Sequence, residues 1–153
     1  MKHFELTQQQ VNGHTIGIVA FDLKGEKVNK FNREVMEDFG ALITTLKSKS
    51  SELEAVMVVS KKPGNFIAGA DINLIQSAQS EKEAFDLARA GQQLLDQWED
   101  LPFPRVVAIN GACMGGGCEM SLASSAIVMS NDPQARIGLP EVMLGIIPGM
   151  GGC

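Results

Sequence analysis

The chain has no tyrosine, one tryptophan, three cysteines and only two histidines, His3 and His14, among its 153 residues. A Ser-His-Asp mechanism would have to recruit one of two histidines confined to the first fifteen positions, so acid–base chemistry falls to carboxylates or lysine. Cys113, Cys118 and Cys153 are odd in number, and the first two have no histidine near them. That spacing matches no zinc pattern and reads as reduced thiols, with no metal site expected. Long apolar runs are missing too. The longest, Ile137–Met150, is broken by Gly, Pro and Glu and falls short of the roughly 20 residues a membrane span needs. The opening MKHFELTQQQ lacks the apolar stretch of a secretory signal. The expectation is a cytoplasmic protein without a membrane span. Thirteen basic against 18 acidic side chains give a formal charge of −5, and Lys61-Lys62 is the only adjacent basic pair. A nucleic-acid partner is not expected from such a balance.

What is present is an alternation of strand-like and helix-like segments. Thr15–Asp22 is apolar and β-branched and reads as a buried strand, with His3–Leu6 as a partner. Val35, Met36, Phe39, Leu42, Ile43 and Leu46 recur at three and four, predicting a helix over 32–47 capped by Asn29 or Asn32. Ala55–Ser60 is a second buried strand, closed by the turn signal Lys62-Pro63-Gly64. Ala84, Phe85, Leu87, Ala88, Leu94, Leu95 and Trp98 share one helical face, and Pro102 and Pro104 end that helix before a strand at 105–110. A short buried helix over 115–125 and a strand over 126–130 follow. With no internal repeat and no linker, the prediction is one α/β or mixed α+β domain whose connections carry the function.

Four connections stand out: FIAGAD (66–71), NGACMGGGCE (110–119), GLPE (138–141) and GIIPGMGG (145–152). Gly115, Gly116 and Gly117 follow a strand and open a helix, which aims unpaired backbone N–H groups outward and suits an anion or oxyanion. Glu119, three residues beyond Gly116, lies on the same helical face within the first turn and is a plausible base. The same glycines would equally serve close helix–sheet packing, and an early glutamate equally satisfies a helix terminus. Asp71 fits an N-cap after Ala68-Gly69-Ala70. Glu141, between Pro140 and apolar Val142, has surroundings that suit a proton donor. No phosphate loop or dinucleotide fingerprint occurs.

Together the four motifs resemble the enoyl-CoA hydratase/isomerase (crotonase) family, over residues 15–153. Their wording, FIAGADIN, INGACMGGGCE and GLPEVMLGIIPGMGG, is most similar to family members that open multifunctional fatty-acid β-oxidation enzymes, fused to a 3-hydroxyacyl-CoA dehydrogenase. The resemblance implies a crotonase-like fold of repeated ββα units. It assigns an oxyanion hole to the backbone N–H groups of Ala70 and Gly116 and catalytic carboxylates to Glu119 and Glu141. It places coenzyme A, a part of the substrate and not a cofactor, against Ala68, Gly69, Asp71 and the backbone of Lys27, Val28 and Asn29, and counts Gly115 and Pro140 among the substrate-binding residues. The implied activity is hydration of an enoyl-CoA, with double-bond isomerisation open to the same carboxylates. A non-catalytic acyl-CoA-binding or assembly fragment is the alternative. Implied partners are the acyl-CoA thioester, further copies of the chain in a trimer-like assembly, and other β-oxidation activities. Asn73 stands where many simple hydratases carry a lysine, which leaves one phosphate contact unaccounted for. Family members also continue beyond the second glycine-rich segment, so a C-terminally incomplete module with weak turnover and an uncovered apolar face is expected.

Overall fold

The computed structural model describes residues 1–153. Eight strands and four helices run in the order β1 (Phe4–Val11), β2 (His14–Phe21), α1 (Arg33–Ser48), β3 (Ala55–Ser60), β4 (Gly64–Ile67), α2 (Ile72–Gln76), α3 (Glu81–Glu99), β5 (Arg105–Ile109), β6 (Gly111–Met114), α4 (Gly116–Leu122), β7 (Ala126–Met129) and β8 (Arg136–Gly138). A 3₁₀ turn, Glu141–Leu144, comes last. The order is a ββα unit repeated. From the second unit on, each unit gives its first strand to a five-stranded sheet, β1-β2-β3-β5-β7, and its second to a three-stranded sheet, β4-β6-β8. All pairings are parallel except the β1–β2 hairpin. Parallel neighbours require a crossover, and the helices supply it.

Local chemistry explains the main helices. Asn32 caps α1 by accepting from Val35 N at 2.8 Å, and the helix buries Val35, Phe39, Leu42, Ile43 and Leu46, each contributing about 1.5–3 kcal/mol of burial. Ser80 caps α3 through Glu83 N. Only Gly91, Leu95 and Trp98 of α3 are buried, and Phe85 is 66% exposed, so the apolar face expected from Ala84 to Trp98 is core-facing only in its second half. The first half projects over a cavity, which Ala84, Leu87 and Ala88 line. Trp98 packs 5.6 Å from Phe39, centroid to centroid, and donates from Nε1 to Ser124 Oγ at 3.0 Å, tying α3 to the end of α4.

The connection 22–31 is fastened from inside. Asn29 is fully buried: Oδ1 accepts from Leu23 N, and Nδ2 faces Phe21 O, Ser60 Oγ and Phe66 O. Its backbone N donates to Asn65 Oδ1 and its backbone O accepts from Ala68 N, both at 2.8 Å. Lys62 Nζ closes the same loop on Leu23 O, Glu26 O and Asp22. Hydrogen bonds from Lys24 and Lys62 hold the Asp22 carboxyl down at about 2. Strand β7 is exposed along its whole length at the edge of the larger sheet. No helix is long and apolar enough to cross a membrane.

Candidate active site

Two loops meet at glycines. Gly69 has φ +113° and Gly115 has φ +52°, conformations that L side chains rarely adopt, and a Cβ on Gly69 would stand 3.9 Å from Gly115 Cα and 3.3 Å from Met114 O. The contact needs the absence of side chains. Phe31 N donates to Gly69 O and Asp71 N to Phe31 O, each at 2.8 Å, so Ala70 between them is held in a short ladder while its own N–H has no partner. Gly116 N, first residue of α4, has none either. A Cβ on Gly116 would lie 3.8 Å from Ala70 N. The two free amides are neighbours. Gly117 serves packing instead, since a Cβ there would be 2.7 Å from both Cβ and O of Ile67.

Glu119 projects from the first turn of α4 and is 4% exposed. Its Oε1 accepts from Met150 N at 2.7 Å and Gly152 N at 2.9 Å, which fixes the carboxylate and leaves Oε2 for another partner. Glu141 begins the 3₁₀ turn. Its Oε1 stands 2.9 Å from where a Gly115 Cβ would be, and its Oε2 is covered yet has no hydrogen-bond partner. The apolar surroundings expected for it are thinner than the sequence implies: Val142, Met143 and Ile147 are 77%, 84% and 75% exposed. The turn is thinly covered, and Val142, Ile146 and Ile147 border the cavity alongside Glu141.

Ala70, Gly116, Glu119 and Glu141 all line one cavity of about 1010 Å³ between α2, α3 and residues 142–153, whose other walls are mostly apolar. That size suits a substantial organic ligand, with the polar groups gathered to orient it. The remaining sequence-predicted residues are not among those that line the cavity. Asp71 caps α2 through Asn73 N and pairs with Lys30 at 3.1 Å; the Lys30 hydrogen bond holds its carboxyl below the usual range. Lys27, Val28, Ala68 and Pro140 are exposed, while Gly69 and Gly115 make the loop contact. Asn29, expected to hold ligand through its backbone, has both backbone groups and its side chain committed inside the protein, so its part is to anchor the loop. The histidines are elsewhere: His3 is buried beside Glu34, and exposed His14 pairs with Glu54. Burial pushes the Cys113 thiol up to about 11.

Sequence reasoning missed Met150 and Gly152, whose amides grip Glu119. No residue pattern announces a backbone donor 31 or 33 positions away from its acceptor.

A family model described as enoyl-CoA hydratase/isomerase matches residues 13–153. The chain belongs to this family. The fatty acid oxidation complex subunit alpha of Vibrio cholerae serotype O1 is 46% identical over 134 residues, which are 88% of this chain and 19% of that one. An enoyl-CoA hydratase from Geobacillus kaustophilus superposes with a TM-score of 0.82 at 29% identity, covering 97% of this chain and 56% of that chain. Pseudomonas aeruginosa DspI does so with a TM-score of 0.80 at 27% identity, covering 96% and 57%. The two-sheet ββα architecture is thus the crotonase-like fold. This family member spans just over half the length of those solved relatives and about a fifth of the curated one.

Proposed function

We propose that the site binds an enoyl-CoA thioester and hydrates its 2,3 double bond. The observation that carries this reading is the pair of unpartnered amides, Ala70 N and Gly116 N, beside two carboxylates in one largely apolar cavity. The thioester oxygen accepts from both amides. As the oxygen of a water bonds to Cβ, one carboxylate takes the water's proton, and the π electrons move toward the thioester oxygen. The resulting enolate is stabilised by fixed donors that need no reorganisation. It collapses by taking a proton at Cα from the other carboxyl group, giving a 3-hydroxyacyl-CoA. Glu119, clamped at Oε1, and Glu141, with a covered and unpartnered Oε2, are the two groups. Coenzyme A itself lies toward Ala68–Asp71 and the exposed Lys27-Val28 turn. A role alongside further β-oxidation activities belongs to the same proposal, supported by the likeness to a fatty acid oxidation complex subunit.

One observation favours binding over rapid turnover in this chain. The wall residues Val142 and Ile147 stand largely in solvent, and water in the site weakens preorganised donors and loosens proximity. The test is loss of the ultraviolet absorbance of a short enoyl-CoA, at high protein concentration, beside calorimetric binding of the saturated analogue. Glu119→Gln and Glu141→Gln should each lower hydration by about 10² to 10⁴-fold while the protein stays folded. Near-normal turnover in both variants would make the carboxylates structural, and binding without any measurable hydration would support the acyl-CoA-binding alternative.

A further inference from the structure

Gly91 lies in the middle of α3 and is buried, a place where glycine is less favourable than alanine for the helix. The reason is a single neighbour. A Cβ at Gly91 would stand 2.7 Å from Met150 Cγ and 3.3 Å from its Sδ and Cε, and on the opposite side Met150 Sδ is 3.1 Å from where a Gly116 Cβ would be. The thioether is seated between two glycines, one on α3 and one on α4. Its backbone is fixed at the same time: Met150 N donates to Glu119 Oε1 at 2.7 Å, and Gln92 Nε2 donates to Gly149 O at 3.0 Å. One residue therefore touches the carboxylate with its amide and occupies apolar volume with its side chain.

We propose that Met150, with Gly91 as its recess, sets the length of acyl chain the cavity accepts; the inference rests on the enoyl-CoA reading above. With the thioester oxygen on Ala70 N and Gly116 N, the acyl tail leaves along the apolar side of the cavity, past Met36, Leu74, Leu87 and Ala88. Met150 fills the space beside that path, between α3 and the amides. Methionine is unbranched and adaptable, so its position depends on what its neighbours leave open. Truncating it to alanine removes three heavy atoms and opens room for about three tail methylenes. A methyl group on Gly91 closes the recess and drives the thioether into the tail path. The two substitutions act in opposite directions, which a general loosening of the site would not produce.

The test is calorimetric titration of this chain with butyryl-CoA and dodecanoyl-CoA, with native far-ultraviolet circular dichroism required of each variant. Each methylene buried is worth about fourfold in affinity. Allowing for partial collapse of the opened space, Met150→Ala should raise the dodecanoyl-to-butyryl affinity ratio by about tenfold. Gly91→Ala should lower that ratio, and the double variant should recover it. Should Met150→Ala fail to fold, the direction seen for Gly91→Ala decides alone. Ratios unchanged in folded variants that still bind both thioesters would overturn the role of Met150 and leave the acyl-CoA reading standing. Absence of binding by either thioester to the unaltered chain would overturn that reading, and this inference with it.

Discussion

Replacing Asn29 by alanine should destabilise the protein by about 3 kcal/mol, and the hydrogen bonds say where the loss arises. Four partners lose Asn29's side chain, but not equally. Phe21 O still accepts from Lys61 N at 2.9 Å, and Ser60 Oγ still donates to Asn65 O at 2.6 Å. Leu23 N–H, in a residue only 2% exposed, is left with nothing. A stranded buried donor costs about 1–3 kcal/mol, and each weakened bond adds up to about 1 kcal/mol. Asn29→Asp is the sharper comparison, because it keeps the volume while turning an acceptor oxygen toward Phe21 O and Phe66 O. It should cost at least as much as alanine. Trp98 is the only tryptophan and is fully buried, so its fluorescence reports urea unfolding without a label. A drop in midpoint at unchanged slope is expected. A loss below about 1 kcal/mol for both variants would refute the view that this side chain fastens the connection 22–31.

Asp22, held at about 2 by Lys24 and Lys62, has a depressed folded-state value, so its stabilisation is complete above its ordinary value near 3.8 and is lost as pH falls through about 2. Unfolding followed from pH 5 to 2 should therefore show Asp22→Asn with a shallower acid decline than the unaltered chain, by about 1–2 kcal/mol over that span; equal declines would contradict the ion-pair account. Gly111→Ala should abolish soluble expression or cost well over 3 kcal/mol, because a Cβ there would fall 1.9 Å from Gly64 C, backbone against backbone across the β4–β6 pairing, and a near-native urea midpoint would contradict it. Exposed Ile127, Val128 and Met129 on the edge strand β7, with the uncovered turn at 142–147, should make the chain self-associate, and Val128→Lys should reduce this in light scattering. A monodisperse monomer of the unaltered chain would contradict it.

Segments whose chemistry is local were legible in the sequence. Asn32 and the three-and-four spacing from Val35 to Leu46 place α1 within a residue, and the apolar run Ala55–Ser60 coincides with β3. The smaller sheet was not legible residue by residue, because β4, β6 and β8 are three or four residues long and begin or end on Gly64, Gly111 and Gly138. Strand β1 extends to Val11 through Gln8, Gln9 and Gln10, since that stretch of the edge strand is exposed on both faces and needs no apolar alternation. In the site, Gly116 and Glu119 follow from a glycine-rich entry into a helix and one helical turn. The contact of Gly69 with Gly115, and the hold of Met150 and Gly152 on Glu119, depend on tertiary closure between separate connections. Phe85 shows the converse: helical spacing assigns it a face, but not whether its side chain meets the core or solvent.

The proposed hydration turns on Ala70 N and Gly116 N together binding a thioester oxygen. Infrared difference spectra of butyryl-CoA carrying a ¹³C-labelled carbonyl, free and bound to this chain, measure that oxygen's environment directly. Two amide donors polarise the carbonyl, so the bound band should move to lower frequency and sharpen. A bound thioester whose carbonyl band stays at its position in water, or moves to higher frequency, would place that oxygen away from the two amides and contradict the account.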